Sequence, residues 1–464
     1  MSSSLTPRFA SGLALALVLA AGGCGGHSII GQQTGRGGST GTGGTGTGGG
    51  EGGAVGTGGQ GTGGGEGGDV GTGGFATGGS VGTGGGAGGS TCVVGAVETG
   101  GLSFGVPAEY FTNAGAVLVA LGDLNGDGKP DLAVLDYSTP PAGGSGGNSG
   151  AGGAGTGGAP GTPSASVGVF LSSTAGYGGP QFYGISGYPG SIATADLNGD
   201  GKVDVAVVNS AGVSVFFNDG SGNLLSPVSF ATGNGPAGVA AGDLNGDGKA
   251  DLVVANQSGN DVGVLLNMGG GTFVAANYPA GTSPVAVALA DLNGDGRTDV
   301  AVASSDGVGI LFGNANGTLG APPTNYGAGT NPRSVAAADL NADGKLDLAV
   351  MNQAGGASVL LNIGNGTFAA AVNYSYPQSS GNGRVVIGDL NGDGRPDLAG
   401  TTSFDSCSDV AVLLNQGNGT FGAPIYVPVG NPSSVTLGDA NGDGKLDLFV
   451  ANVDGVGIFQ NTMP

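Results

Sequence analysis

The sequence predicts an all-β protein made of seven repeated units, and three observations carry this prediction. A nine-residue string that begins at Asp123, D-L-N-G-D-G-K-P-D, recurs with small changes; the other copies begin at Asp196, Asp243, Asp291, Asp339, Asp389 and Asp439. The last five steps between copies are 47, 48, 48, 50 and 50 residues. Short apolar runs of period two surround each copy and show no helical periodicity. A fixed period of this length indicates a repeat architecture.

Each unit contains four short strand-like segments, as the third unit shows. Its apolar segments are residues 235–241, 252–256, 261–267 and 273–278, and the nine-residue string separates the first two. Turns rich in Gly and Asn separate the others, and both residue types tolerate the positive φ of a tight hairpin. Units of four short strands are the blades of a β-propeller. Seven units therefore predict a seven-bladed β-propeller.

The two ends of the repeat region predict that the ring closes. The last unit stops after its third strand, near Asn461. The missing fourth strand lies ahead of the first unit, where residues 104–110 (F-G-V-P-A-E-Y) match residues 421–426 (F-G-A-P-I-Y), the fourth strand of unit six. We expect the N-terminal strand to complete the last blade and to remove an open sheet edge.

Composition divides the chain into three parts. The 464 residues include 110 Gly, and residues 37–90 are dominated by Gly with Thr, Ala and Ser. Such a segment has too few apolar side chains to bury a core. We therefore assign residues 1–23 to a signal peptide, 24–100 to a disordered Gly-rich tether and 101–464 to the propeller, which carries an insert loop at 138–165.

The N-terminal segment is typical of an export signal. Arg8 supplies a positive charge, residues 9–21 are apolar, and small residues lead to Cys24. The segment L-A-A-G-G-C resembles the lipobox of bacterial lipoproteins, which implies lipidation of Cys24 and an outer-membrane or cell-surface location. Secretion without a lipid is the alternative. Outside the cytoplasm Cys92 and Cys407 form a candidate disulfide, and two separate buried thiols are the alternative.

The nine-residue strings are predicted to be calcium-binding loops. They offer side-chain oxygens at positions 1, 3, 5 and 9 and a backbone carbonyl at position 7, whose Lys or Arg side chain points outward. Gly at position 6 permits the sharp turn. Calcium accepts six to eight oxygens in irregular geometry, whereas magnesium needs stricter geometry and zinc prefers nitrogen and sulfur. Position 9 should close the shell with both oxygens. The variations, Ala342 at position 4 and Ala440 at position 2, touch no ligand.

We expect about seven Ca²⁺ ions, one in each loop, with a structural role. The ions would pin the hairpin between the first two strands of each blade. The predicted ligands of the seven loops, with Lys and Arg acting through their carbonyls, are Asp123, Asn125, Asp127, Lys129, Asp131; Asp196, Asn198, Asp200, Lys202, Asp204; Asp243, Asn245, Asp247, Lys249, Asp251; Asp291, Asn293, Asp295, Arg297, Asp299; Asp339, Asn341, Asp343, Lys345, Asp347; Asp389, Asn391, Asp393, Arg395, Asp397; and Asp439, Asn441, Asp443, Lys445, Asp447.

These motifs resemble a known family. F-G-A-P at 421–424 and F-G-V-P at 104–107, with D-x-N-x-D-G-x-x-D in each unit, are similar to the FG-GAP repeats of integrin α-subunit propellers, whose bacterial relatives are called VCBS repeat proteins. The resemblance covers residues 101–464. Strand alternation places the insert and the connections between blades on the face opposite the loops. The resemblance implies that this opposite face binds ligands.

The charge and histidine content limit the function. The formal net charge is -22, and the loops hold 21 of the 33 acidic residues, so seven dications would bring the charge to -8. Seven of the eleven basic residues also lie in the loops, and no basic patch remains for nucleic acid. The only histidine, His27, lies in the tether, so the propeller has no His-based triad. We expect no enzyme activity.

The sequence thus predicts an exported, surface-anchored, monomeric calcium-binding propeller. It would act as a binding or adhesion module for an extracellular protein or polysaccharide and would meet the membrane only through a lipid anchor. A calcium-dependent lectin is one alternative. A polysaccharide lyase or hydrolase, or an accessory domain of one, would use acids outside the loops. A purely structural surface protein is the third.

Overall fold

The protein was analysed as a computed structural model, which describes residues 97–99, 101–112, 115–138, 164–354, 356–376, 383–402 and 408–464. These residues form strands and turns, and none of them builds a helix long and apolar enough to cross a membrane. The predictions for the signal peptide, for Cys24, Cys92 and Cys407, and for most of the tether and the insert fall outside the described residues.

The N-terminal strands precede the first repeat and join the last blade. Strands β1 (Val97–Thr99) and β2 (Leu102–Phe104) form an antiparallel hairpin. Regular structure therefore begins a few residues ahead of the predicted boundary at 101. Strand β3 (Ala108–Phe111) follows and belongs to the seventh blade.

Each blade is a four-stranded antiparallel sheet; the strands of blades one to six follow one another in chain order, whereas β3 supplies the fourth strand of blade seven. The strands of blades one to three are β4 (Ala116–Gly122), β5 (Asp131–Ser138), β6 (Ser164–Phe170), the short hairpin β7 (Ser172–Ser173) and β8 (Gly176–Tyr177), β9 (Gln181–Ile185); β10 (Pro189–Ala195), β11 (Asp204–Asn209), β12 (Gly212–Phe216), β13 (Val228–Phe230); and β14 (Pro236–Gly242), β15 (Asp251–Asn256), β16 (Asp261–Gly269), β17 (Thr272–Pro279).

Blades four to seven repeat this arrangement, with a short hairpin after the third strand of blades five and six. Their strands are β18 (Ala286–Ala290), β19 (Asp299–Ser304), β20 (Gly307–Leu311), β21 (Thr324–Tyr326); β22 (Thr330–Ala338), β23 (Asp347–Ala354), β24 (Gly356–Leu360), β25 (Asn362–Gly364), β26 (Thr367–Phe368), β27 (Val372–Tyr374); β28 (Val385–Gly388), β29 (Asp397–Thr401), β30 (Asp409–Leu413), β31 (Asn415–Gly417), β32 (Thr420–Phe421), β33 (Ile425–Pro428); and β34 (Pro432–Gly438), β35 (Asp447–Asn452), β36 (Gly455–Phe459) with β3.

The core lies between neighbouring blades rather than inside one sheet. The second and third strands are buried on both faces, so they are runs of Val, Leu, Ala and Ile. Each of seven apolar clusters among the described residues combines side chains of two adjacent blades. One of them packs Val119 and Leu121 of blade one against Phe449 and Ile458 of blade seven. The ring is therefore closed, and the seven-bladed propeller is confirmed.

The N-terminal strand closes the seventh blade as predicted. Strand β3 pairs antiparallel with β36, from Ala108 opposite Ile458 to Phe111 opposite Gly455. An isolated bridge between Phe104 and Asn461 extends the pairing toward the loops. The predicted single strand over 104–110 is thus divided in two by residues 105–107, which lie outside the ladder.

The nine-residue loops share a face with the turns between the third and fourth strands. The Gly270 N–H, in the turn of blade three, donates to the Asn198 carbonyl in the loop of blade two (3.1 Å). Lys202 Nζ, in that loop, donates to the Asp219 carbonyl in its own blade's turn (2.9 Å). We call this side of the ring the loop face, and the side with the connections between blades the opposite face.

A glycine at the start of the third strand lets the fourth strand approach closely. Gly455 has φ of +155°, and a Cβ there would collide with the backbone carbonyl of Tyr110 in β3. The corresponding glycines of blades two, four and five face a fourth-strand carbonyl in the same way; they are Gly212, Gly307 and Gly356.

Replacing this glycine should weaken ring closure. We expect Gly455→Ala to lower the free energy of unfolding by about 1–3 kcal/mol, because the methyl group forces β3 away from β36. Gly184→Ala is the matched control, since an added Cβ there meets no atom within 4 Å. Urea unfolding monitored by circular dichroism measures both variants. Equal unfolding midpoints for the two would contradict the expectation.

Candidate metal centres in the loops

The position-1 aspartate holds each loop together through backbone amides. In the second loop Asp196 Oδ1 accepts hydrogen bonds from the N–H groups of Gly199 (2.7 Å) and Asp200 (3.2 Å), and Oδ2 accepts one from Gly201 (2.8 Å). The bond to the position-6 amide recurs in all seven loops at 2.7–2.9 Å. The seven strings therefore adopt one conformation.

Positions 3 and 5 also turn their oxygens toward the loop backbone. Asn198 Oδ1 accepts the Asp200 N–H (2.8 Å), and Asp200 Oδ1 accepts the Lys202 N–H (3.0 Å). Both bonds occur in every loop. The predicted side-chain ligands of a loop thus line the inside of one turn.

Two backbone positions need the left-handed region. Position 6 has φ of 80–84° in all seven loops, which confirms the predicted role of Gly128 and its equivalents. Position 4 has φ of 74–80° where it is Gly, and Ala342 in the fifth loop is held at φ 60°. From the sequence alone, Ala342 was expected only to touch no metal ligand. A left-handed non-glycine residue costs about 1–2 kcal/mol, so this loop carries backbone strain that the others avoid.

The position-9 aspartate is buried and joins the start of its loop to the end of the third strand; we call it the buried brace. Asp204 is 0% exposed; its Oδ2 accepts the Leu197 N–H at position 2 (2.9 Å), and its Oδ1 accepts the Asn218 N–H beyond the third strand (2.8 Å). The same two bonds recur in the other six loops. Both oxygens are thus already engaged with amides. Each keeps a second lone pair, so their role as metal ligands stays a prediction.

Burial makes the charge on this carboxylate unfavourable. Loss of water raises the pKa of five position-9 carboxyls to about 6; amide hydrogen bonds oppose the shift, and the carboxylates at positions 5 and 1 add to it. The five are Asp204, Asp299, Asp347, Asp397 and Asp447. Burial also raises the pKa of Asp131 and Asp251. A bound cation would offset this excess of negative charge.

The position-7 side chain does not simply point outward. Lys249 Nζ lies 2.6 Å from Asp247 Oδ2, and its hydrogen bond lowers the pKa of Asp247. Loops two, four, five and six have the equivalent ion pair at 2.8–3.6 Å. These Lys and Arg side chains stay exposed, and in the five loops their flexible ammonium or guanidinium group also reaches the nearest carboxylate. Such exposed pairs contribute little to stability.

The donor chemistry of the loops fits calcium. Each offers Asp and Asn oxygens and a position-7 carbonyl, which are hard donors of the kind calcium takes. Within the described ranges, no three His, Cys, Asp or Glu side chains converge as they would around one ion. The carboxylates bind the amides of their own loop instead. Binding a cation would thus require them to turn from these amides toward a common centre.

The opposite face has a cleft where the ring closes. A cavity of about 510 Å³ lies between β3, the connection from blade six and the turn after β35. It exposes Val106 (74%), Phe111 (70%) and Val453 (66%) beside two acids, Glu109 and Asp454. Partial burial raises the pKa of Glu109, a hydrogen bond with the adjacent Asn452 side chain opposes this, and the nearby Asp454 adds to it. We call this pocket the seam cleft.

Sequence reasoning missed one set of residues in the site. In five blades an asparagine stands at the end of the third strand or just after it, and its side-chain Nδ2 donates to backbone carbonyls of the loops. These residues are Asn218, Asn267, Asn362, Asn415 and Asn461. The repeat itself contained a signal for these asparagines. Each lies at the same place in its unit and ends a dipeptide L-N, F-N or Q-N.

The chain matches the FG-GAP-like repeat family over five stretches, at residues 196–254, 243–302, 291–350, 342–400 and 401–450. Together they span more than half of the chain. The matches cover six of the seven loops and leave out the first, at Asp123. Among curated proteins, none matches the chain.

Several solved structures are similar in fold. An Agrocybe aegerita lectin, described as recognising non-reducing terminal N-acetylglucosamine, has 20% identity and a TM-score of 0.46, covering 74% of this chain and 87% of its own. A Bacillus licheniformis rhamnogalacturonan lyase has 13% identity and a TM-score of 0.42, covering 80% and 74%. The V. cholerae biofilm matrix protein Bap1 has 22% identity and a TM-score of 0.34, covering 55% and 44%. Similarities at this level say nothing about what this chain binds.

Removing one acceptor from the buried brace should destabilise the metal-free protein. In chelator, we expect Asp204→Asn to lower the free energy of unfolding by about 1–3 kcal/mol, because an amide NH₂ then faces a buried N–H donor. Asp200→Asn is the control; its single backbone bond can be kept by the amide oxygen, so unfolding should be unchanged. Calorimetry of both variants measures the difference. Equal loss in both would contradict the bracing role.

Proposed function

Because the chain belongs to the FG-GAP-like repeat family, we propose that it is a calcium-stabilised propeller that acts as a binding module outside the cell. The observation that supports it most directly is the identical conformation of seven acidic loops, each with an all-oxygen donor set and a buried carboxylate. The loop at Asp123, which the family match leaves out, has the same position-1 hydrogen bond as the loops inside the match.

Calcium would supply a cationic centre, and residues of the loops would hold it in place. Asp196, Asn198, Asp200, the Lys202 carbonyl and Asp204 would hold it in the second loop, and the matching residues would do so in the others. Because Asp204 also binds the exit of the third strand, a cation held there would connect three strands of the blade. The proposed role is therefore structural rather than catalytic.

The size of the effect follows from mass action. At ten times its dissociation constant, a ligand that binds only the folded state adds about 1.4 kcal/mol per site. Seven sites would add on the order of 10 kcal/mol, comparable to the whole stability of a typical domain. A propeller that depends on calcium to this degree would be folded where calcium is abundant, which fits the proposed export and surface anchoring.

We propose that the ligand binds on the opposite face, at the seam cleft. Contiguous exposed apolar side chains mark interaction sites more often than scattered ones do, and Val106, Phe111 and Val453 share this cleft. The described connections between blades lie on the same face. The ligand class is an extracellular protein or polysaccharide. Binding rather than turnover is proposed, since the loops' acids are committed to their own turns.

Calcium should control both stability and bound-ion stoichiometry. We expect the melting temperature to fall in chelator, to recover with calcium, and to recover less with the same concentration of magnesium, which needs stricter geometry. Isothermal titration and elemental analysis should find about seven ions per chain. A melting temperature and an ion count that are indifferent to chelator would contradict the proposal.

Truncating the aromatic side chain of the seam cleft should weaken ligand capture. The calcium-loaded protein is incubated with purified polysaccharides and envelope extracts, and retained material is quantified. We expect Phe111→Ala to reduce retention about tenfold, as loss of an exposed aromatic anchor does. Ile363→Ala is the control, because Ile363 is 65% exposed and lies on the loop face. Equal retention by both variants would exclude the cleft as the binding site, and release of sugar fragments would reveal an enzyme.

A further inference from the structure

Five buried asparagines each connect the loop of their own blade to the loop of the preceding blade. Asn267, 1% exposed, donates from Nδ2 to the Ala250 carbonyl in its own loop (2.9 Å) and to the Leu197 carbonyl in the loop of blade two (2.9 Å). Its Oδ1 accepts the Gly269 N–H (2.9 Å). Each polar atom of the side chain therefore has a hydrogen-bond partner. Aspartate could not replace Asn267, because both carbonyls need a donor.

The bond to the preceding blade has the same form in every case. Nδ2 reaches the carbonyl at position 2 of the preceding loop at 2.6–2.9 Å. The donors and acceptors are Asn218 to Leu124, Asn267 to Leu197, Asn362 to Leu292, Asn415 to Leu340 and Asn461 to Leu390.

These bonds join the position-9 aspartates into a continuous chain. The Asn267 N–H donates to Asp251 Oδ1 (2.6 Å), Asn267 Nδ2 donates to the Leu197 carbonyl, and the Leu197 N–H donates to Asp204 Oδ2 (2.9 Å). Asn218 extends the chain in the same way from Asp204. Each carboxylate is thus connected to the next through one asparagine and the backbone N–H and C=O of one position-2 residue.

The series of hydrogen bonds between loops is interrupted at two places, and these divide the seven loops into two arcs. Blade four has Gly313 where the asparagine would stand, so nothing reaches the Leu244 carbonyl from there. Thr298 Oγ1 does cross to blade three, but it binds the Asp243 carbonyl (2.7 Å) and not the peptide at position 2. Blade one has Ser172, and no hydrogen bond among the described residues joins its side chain to blade seven.

The two arcs are defined by their position-9 residues. The first arc contains loops one to three, with Asp131, Asp204 and Asp251. The second arc contains loops four to seven, with Asp299, Asp347, Asp397 and Asp447.

We propose that the five asparagines are positioning residues that couple calcium binding between loops of the same arc. This inference rests on the proposed calcium function. A cation that fixes the position-9 carboxylate of one loop also fixes the position-2 residue whose N–H binds that carboxylate. The carbonyl of the same residue orients the asparagine of the next blade, whose backbone N–H donates to the next position-9 carboxylate. Coupling between two sites is reciprocal, so either loop assists the other.

The direct test removes one link in the first arc. Hydrogen exchange read by mass spectrometry, during a calcium titration of the full chain, gives an apparent affinity for each loop peptide. We expect Asn218→Ala to weaken calcium binding at loops one and two about tenfold and at loop three to a lesser extent, with loops four to seven unchanged. In chelator, the amides of loop one should also exchange faster, a readout that needs no calcium.

The matched control lies in the same turn. Asn223 is exposed, and its side chain bonds only within its own turn, to Asp219 and Ser221. We expect Asn223→Ala to leave all seven affinities unchanged. If Asn218→Ala does not fold, Asn415→Ala provides the equivalent test in the second arc, where loops four to seven should weaken and loops one to three should not.

A second variant adds a link instead of removing one. Ser172 donates its N–H to Asp131 Oδ1 (2.7 Å), as the asparagines do to their own aspartates. Ser172→Asn supplies the missing Nδ2 toward the Ala440 carbonyl and should join the two arcs through blades seven and one. We expect loop seven to gain about fivefold in affinity when loop one is filled. A merely structural role for the asparagines would not produce this gain.

The outcomes separate this inference from the function on which it rests. If Asn218→Ala weakens only loop two, or weakens all seven loops equally, the coupling is wrong while calcium binding stands. If the unaltered protein shows no calcium-dependent protection at any loop, the proposed function is wrong and the coupling falls with it. Arc-confined loss with Asn218→Ala, together with the gain from Ser172→Asn, supports the inference.

Discussion

The structure depends on a buried carboxylate that appears seven times. Asp204 and its equivalents lie at the first residue of the second strand, with no exposed surface, and each bonds to the start of its loop and to the exit of its third strand. A neutral side chain of the same shape could not accept both amides. Burying a carboxylate is costly unless the charge is compensated. At seven places the hydrogen bonds thus require a carboxylate, while burial disfavours its negative charge. A dication bound at such a place would compensate that charge.

Apolar and polar contacts close the ring in different ways. Apolar clusters span all seven interfaces between blades, whereas the polar chain through the asparagines spans only five. At the seam between blades seven and one, the Tyr177 ring of blade one meets the Phe449 ring of blade seven edge-on at 6.2 Å, while the Tyr177 OH donates within blade one to the Pro130 carbonyl (2.9 Å). Packing is non-directional and tolerates such exchange. The hydrogen-bonded chain does not, because it needs a two-donor side chain at one position.

The sequence predicted the elements that follow from periodicity and could not predict those that depend on contacts between blades. Period, strand count and closure by the N-terminal strand are visible because each repeat carries the same apolar runs. The candidate ligand oxygens can be proposed from the sequence because their spacing is local. The bracing role of Asp131 was not, since its partner Ser172 lies 41 residues away. Ala342 also seemed harmless in sequence, and only its backbone angle shows the strain.

The two faces differ in how strictly the repeat is kept, and this difference supports the proposed position of the binding site. On the loop face the hydrogen bonds are nearly the same in every blade. In the seam cleft the pattern breaks: Glu109 faces Gly457 in the place where other blades have neutral side chains, namely Ser229, Asn277, Asn325 and Asn373. A neutral residue would satisfy the adjacent Asn452 without the cost of a second charge near Asp454. Because four other blades have a neutral residue at this position, the carboxylate is not part of the repeated framework, which supports the proposed binding site in the seam cleft.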